Sequence, residues 1–292
     1  MRAYFGKNIV SVFEDLLCDV WNDPDFVTSP RGMEVKEIRD CAMEIEEPMI
    51  NLYSNQYRNS PDKYIAAEII WYFSGTNKPE YIMPRTPLWS NIRNADGTVN
   101  SAYGNLLFTE KNEHGLTQYH WVIESLKRDK DTRQAFMHFN KPKHQFFENK
   151  DQVCTLQSLF HIRNNKLYMT LTMRSNDIIL GFMTDWAFFS ILHYHVYLQM
   201  KEYYPELEMG SYTHISHSMH LYEKHYELVK TMNTSKYEPR SIPLPNETIL
   251  NEDGSIKEKY LKLLEPIQRG ESPDYTQRTG NPLIDWCLEK LS

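Results

Sequence analysis

Residues 166–204 read KLYMTLTM RSNDIILGFMTD WAFFSILHYHVYLQMKEYY. In 166–173, Leu167, Met169, Leu171 and Met173 alternate with Tyr168, Thr170 and Thr172, the period of a half-buried strand. Residues 186–204 are apolar nearly all round and predict a long, buried helix. Between the two, Arg174, Ser175, Asn176, Asp177 and Asp185 crowd a short polar run at the mouth of that helix. A solvated loop ending in an Asp cap would present the same residues. Upstream, SLFHI followed by Asn164-Asn165 predicts a hairpin with a tight turn. Its first strand is expected to carry Cys154. A thiol facing an arginine across a sheet would have its pKa lowered toward the nucleophilic thiolate; a buried, inert cysteine is the alternative.

Working outward, residues 7–21 place Ile9, Val12, Phe13, Leu16 and Leu17 on one helical face. Residues 63–74 predict a second helix stopped by Gly75, and 117–128 a third. Residues 84–112 read as loop-rich, with Pro84, Pro87 and an Asp96-Gly97 turn. Beyond residue 234 the chain turns Pro-rich and irregular until a last short helix around 282–291. With no βαβ alternation and no glycine-rich phosphate loop, the pattern belongs to the α+β class.

The bulk numbers narrow the partners. A chain of 292 residues with 41% apolar and 24% charged content has ample length for a core. A net charge of −7 opposes a grip on a nucleic-acid backbone, so a small phosphorylated metabolite held by a few arginines is expected rather than a polynucleotide. No apolar run approaches the roughly 20 residues of a membrane span, and the N-terminus does not read as a signal peptide. The four cysteines are scattered without CxxC spacing, which argues against a zinc knuckle or disulfide framework and fits a reducing, cytosolic compartment. His214, His217, His220 and His225 have ligand-like spacing on a helix or loop but no HExxH pattern or acidic partner, so no metal is expected.

Several motifs then fall into order: Ala67-Glu68-Ile69-Ile70-Trp71, Trp89, Ser101-Ala102-Tyr103-Gly104, Cys154, Arg174-Ser175-Asn176-Asp177 with Leu180-Gly181, Asp185, and His220-Leu221-Tyr222. Over roughly residues 5–230 this order resembles the thymidylate synthase superfamily, and the deoxycytidylate hydroxymethylase branch known from phages most closely. The resemblance implies a thymidylate synthase-like fold, a central mixed sheet packed by helices with one sheet face forming a dimer interface. A single catalytic domain over 1–292 is expected, with 234–292 as an extension that the resemblance does not explain. The implied location is cytoplasmic, the host cytoplasm if the chain is phage-encoded.

The implied reaction starts with Cys154 adding to C6 of a pyrimidine nucleotide, which activates C5 toward the one-carbon unit of 5,10-methylenetetrahydrofolate. Water then gives a hydroxymethyl product, whereas hydride from the folate gives a methyl product. Glu68 would move protons, with Tyr103 beside it in the catalytic set. Arg31, Arg174 and Ser175 would bind the phosphate. Arg133 would come from the partner of a homodimer, although Gln134 stands where the family usually has a second arginine. Asp177, His220 and Tyr222 complete the substrate contacts, and Trp89, Asp177 and Gly181 would meet the folate.

Asp185 bears on the base. The family's uracil-specific members carry Asn here, whose amide offers a donor and an acceptor to O4 and N3–H. Cytosine presents the reverse, an accepting N3 and a donating amino group, which a carboxyl sharing a proton satisfies. dCMP is therefore the expected substrate, with dUMP the alternative. A dCMP methylase, a conventional thymidylate synthase and a non-catalytic nucleotide- or RNA-binding member are the competing readings.

Overall fold

The computed structural model describes Met1 to Ser292, and its chain begins with strand β1 (Arg2–Gly6) and helix α1 (Ile9–Asn22). Then come β2 (Phe26–Thr28), β3 (Val35–Ile45), β4 (Leu52–Ser54), α2 (Asp62–Ser74), α3 (Pro87–Asn91), α4 (Gln118–Arg128), β5 (Phe136–His138) and β6 (Thr155–Arg163). The second half runs β7 (Lys166–Met173), β8 (Asn176–Asp177), α5 (Gly181–Lys201), β9 (Glu208–Tyr222), α6 (Tyr226–Met232), β10 (Glu238–Arg240), α7 (Glu258–Gln268) and α8 (Pro282–Leu291). The main sheet is ordered β1-β3-β9-β7-β6-β5, with β2 paired to β3 and β8 to β9.

The period-two segment is β7, and its four alternating apolar residues are all buried. Asn164 and Asn165 take positive φ, 48° and 57°, the geometry a two-residue hairpin turn needs, and β6 and β7 pair antiparallel across them. The expected absence of βαβ units is corrected. β1 lies parallel to β3 across α1, and β7 lies parallel to β9 across α5, so two crossovers sit inside a mixed sheet. Strands β1 and β9 carry no clean alternation that would have exposed them: β9 mixes buried His214, Ser216 and His220 with apolar residues.

Helix α2 ends on Gly75 in the left-handed region, φ 72°, as its sequence predicts. Helix α5 starts at Gly181, five residues before the expected start at Trp186. The tail is less irregular than its prolines suggest. α7 and α8 both pack on α2, Gln268 Nε2 donates to the Ser74 carbonyl (2.7 Å), and Arg240 pairs with Asp62 (2.7 Å). α7 was missed because Pro266 near its C-terminal end reads as a breaker, while the structure tolerates it in the last turn. A single hydrophobic cluster of 76 buried residues spans Tyr4 to Leu291, so the tail shares the core of the helix that bears Glu68.

Candidate active site

Glu68 lies on the buried stretch of α2 and is 7% exposed. One turn either side of it, Tyr64 and Tyr72 place hydroxyls on its Oε1 at 2.9 and 3.3 Å. Trp89 Nε1 in turn donates to the Tyr64 hydroxyl (3.1 Å), and the Trp89 ring packs edge-on against Trp71. Burial pushes the Glu68 carboxyl up to about 7, against the two tyrosine hydrogen bonds that favour its ionised form. Tyr64 and Tyr72 escaped sequence reading, though their i−4 and i+4 spacing from Glu68 was the available signal.

Tyr103 stacks on Tyr72 (centroids 5.3 Å apart) and accepts a hydrogen bond from Thr155 Oγ1 (2.9 Å). This close approach explains Gly104: a Cβ there would lie 1.7 Å from the Tyr72 carbonyl oxygen. Cys154 stands one residue before β6 rather than on it. Arg174 Nη2 lies 3.5 Å from its sulfur, while the same guanidinium donates to the carbonyls of Gln152 (2.6 Å) and Val153 (3.0 Å).

The expected lowering of the thiol's pKa is corrected: burial pushes the Cys154 thiol above its ordinary value. Arg174 and Arg31 pull the other way, but Arg174 is solvent-exposed and already engaged by two carbonyls, and Asp185 and Asp151 add to the rise. Arg31 is exposed in a short turn, with φ 55° where non-glycine residues are uncommon. Its charge acts on Cys154 more weakly than that of Arg174, and it makes no hydrogen bond or ion pair with the other site residues.

The polar run converges as β8 and the start of α5. β8 pairs parallel with β9, setting Asp177 opposite His220. Ser175 Oγ and the His220 ring are 3.5 Å apart, and His220 packs edge-on against Tyr222. Asp177 Oδ1 accepts from the amides of Ile179 (2.8 Å) and Leu180 (3.0 Å), shaping the turn that feeds α5. Asp185 sits one turn inside α5, so it is not the N-cap the alternative reading required. Its Oδ2 accepts from Asn176 Nδ2 at 2.8 Å. Burial first, then the nearby Glu68, hold this carboxyl well above the ordinary carboxylate range, and the Asn176 bond opposes them.

Arg133 does not join this group within one chain. It lines a separate cleft of about 690 Å³ with Trp121, Arg128 and Gln134. A larger concavity of about 970 Å³ lies between residues 93–100 and 143–150, yet it contains none of Cys154, Glu68, Arg174 or Asp185. Three of the four histidines lie on β9, with His225 in the short turn that follows; along the strand, alternation sends His217 to the exposed face against Asp40 (2.7 Å) while His214 is buried beside the Tyr212 hydroxyl (3.0 Å).

Residues 12–263 match the family model described as thymidylate synthase, a span that passes the expected limit of residue 230. The chain is 29% identical over 214 residues to the deoxycytidylate 5-hydroxymethyltransferase of Enterobacteria phage T6, covering 71% of this chain and 83% of that protein. It is 26% identical over 296 residues to the deoxyuridylate hydroxymethyltransferase of Bacillus phage SP01, covering 98% and 73%. Among solved structures it is similar to the thermostable thymidylate synthase A of Bacillus subtilis, with a TM-score of 0.63 at 17% identity over 82% of this chain and 87% of that one. No helix is long and apolar enough to cross a membrane.

Proposed function

The chain belongs to the thymidylate synthase family, and from that premise we propose that it hydroxymethylates C5 of dCMP. The observation that carries this reading is Asp185, a carboxyl anchored by Asn176 and raised well above its ordinary range by burial and the nearby Glu68. A carboxyl that keeps its proton near neutral pH donates to cytosine N3 and accepts from the 4-amino group. Uracil presents N3–H and O4 in those places and leaves buried groups unpaired. A neutral Asp185 also withdraws the repulsion it would otherwise exert on the Cys154 thiolate.

In this reading Cys154 is the nucleophile, with Arg174 and Arg31 stabilising its thiolate and, with Ser175, the nucleotide phosphate. His220 and Tyr222 bind the sugar. Glu68, with its carboxyl near 7, holds or releases a proton at neutral pH, and Tyr103 closes the wall beside it. The donor 5,10-methylenetetrahydrofolate would supply the one-carbon unit. Exposed Leu88 beside Trp89, and exposed Leu180 beside Gly181, leave apolar surface for an aromatic ring system. Asp177 Oδ2, which no protein group occupies, is an acceptor for it. These features fit the donor.

The site would be completed in a cytoplasmic homodimer, Arg133 of each subunit reaching the other's phosphate pocket. Residues 1–292 act as one catalytic domain in which 234–292 brace α2. A second reading, hydroxymethylation of dUMP, is favoured by the likeness to the phage SP01 protein, which spans 98% of the chain and so includes the tail. Incubating the protein with methylenetetrahydrofolate and either nucleotide, and resolving the products, tests both. Hydroxymethyl-dCMP without dihydrofolate is expected; methyl-dCMP with dihydrofolate makes the protein a methylase, and turnover of dUMP alone overturns the cytosine assignment.

A further inference from the structure

Asn176 is 3% exposed, and its two amide atoms have different fates. Nδ2 donates to Asp185 Oδ2 at 2.8 Å, whereas Oδ1 is buried with no hydrogen-bond partner in the protein. The backbone on either side is pinned: Asn176 pairs with Met219 of β9, and Asp177 caps the next turn. Gly181 eases the meeting, because a Cβ there would lie a tight 3.1 Å from Asn176 Nδ2 and 3.2 Å from Asp185 Oδ2. The chain thus holds an unpartnered, buried acceptor next to the carboxyl assigned to the base. An orphan of this kind is costly unless something donates to it.

From this geometry we infer that Asn176 is a second base-reading residue, which fixes Asp185 Oδ2 as an acceptor and offers its own Oδ1 to the 4-amino group of cytosine. The inference rests on the functional reading above and deepens it. With Oδ2 committed to accepting from Asn176, a proton on Asp185 belongs on Oδ1, where it can be donated to N3. The cytosine amino group carries two hydrogens and needs two acceptors; Asp185 Oδ2 and Asn176 Oδ1 supply them. The carbonyl O4 of uracil would face those same two acceptors and find no donor.

The test compares kcat/KM for dCMP and dUMP in wild type, Asn176→Ala and Asn176→Ser, with dCMP and dUMP binding to Cys154→Ser backgrounds measured by calorimetry. Losing a buried specificity contact should lower kcat/KM for dCMP by roughly 10- to 100-fold, and less for dUMP. Asn176→Ser, whose hydroxyl can both donate and accept, should retain part of the preference. Binding in the Cys154→Ser background should weaken for dCMP more than for dUMP. Equal losses for the two nucleotides, or an unchanged preference, would overturn the inference while leaving the dCMP assignment standing. A wild type that uses dUMP and rejects dCMP overturns both.

Discussion

Replacing Tyr64 with Phe removes one hydroxyl that serves two partners, Glu68 Oε1 at 2.9 Å and Trp89 Nε1 at 3.1 Å. The Tyr64 hydroxyl donates to the carboxylate and so stabilises its ionised form; its removal must raise the Glu68 pKa from about 7. A hydrogen bond to a charged group is worth roughly 1.5–3 kcal/mol, and about 1.36 kcal/mol corresponds to one pH unit. Tyr72 at 3.3 Å is free to tighten on the same oxygen, so the lower end applies. The limb of the kcat/KM profile governed by Glu68 should therefore move alkaline by about one pH unit, whichever protonation state is the active one. Initial rates across buffers spanning that limb, with the nucleotide varied, measure it. A limb that stays in place, even if the rate falls, would show Tyr64 to be a packing residue. A limb moving acid would refute the hydrogen-bond direction assigned to it.

Asp185→Asn should place an amide donor toward the base and shift kcat/KM toward dUMP by at least tenfold, read as the ratio for the two nucleotides; an unchanged ratio removes Asp185 from base selection. Glu68→Gln addresses stability. Because the Glu68 carboxyl is raised from 4.5 to about 7 in the fold, its contribution is complete below the unfolded value and lost as pH rises through the folded one. The amide has no such loss, so denaturant unfolding should favour the variant over wild type progressively from about pH 4.5 to pH 8, by roughly 3 kcal/mol at most; parallel stability curves would contradict the burial argument. Finally, inactive Cys154→Ser and weakened Arg133→Ala chains, unfolded and refolded together, should regain activity through mixed dimers with one intact site. Absence of complementation would place Arg133 outside the partner's site.

Tyr64 and Asn176 mark where reading along the chain stops short. The β7 strand, the buried α5 and the stop at Gly75 were legible because periodicity and a left-handed cap are local properties of the backbone. So was the order of Glu68, Trp89, Cys154, Arg174 and Asp185, which is a property of the linear chain. The parallel crossovers were not, because pairing β7 to β9 depends on how α5 packs rather than on either strand's own pattern. Nor was the rise of the Cys154 thiol. An arginine nearby predicts a fall, and only the fold reveals that its fork is engaged by the Gln152 and Val153 carbonyls while the packing around the half-buried thiol pushes its pKa up.

The sequence by itself determined strand β7, the body of the buried helix after it, the family and part of the chemical inventory of the site, since each resides in residue identity and spacing. The tertiary structure alone decided the electrostatics and the company each group keeps: Glu68 raised to about 7 between two tyrosines, Asp185 anchored by Asn176, and α2 braced by the tail. Desolvation and hydrogen bonding act over a few ångströms between residues as distant in sequence as Ser74 and Gln268, and a linear chain carries no record of those distances.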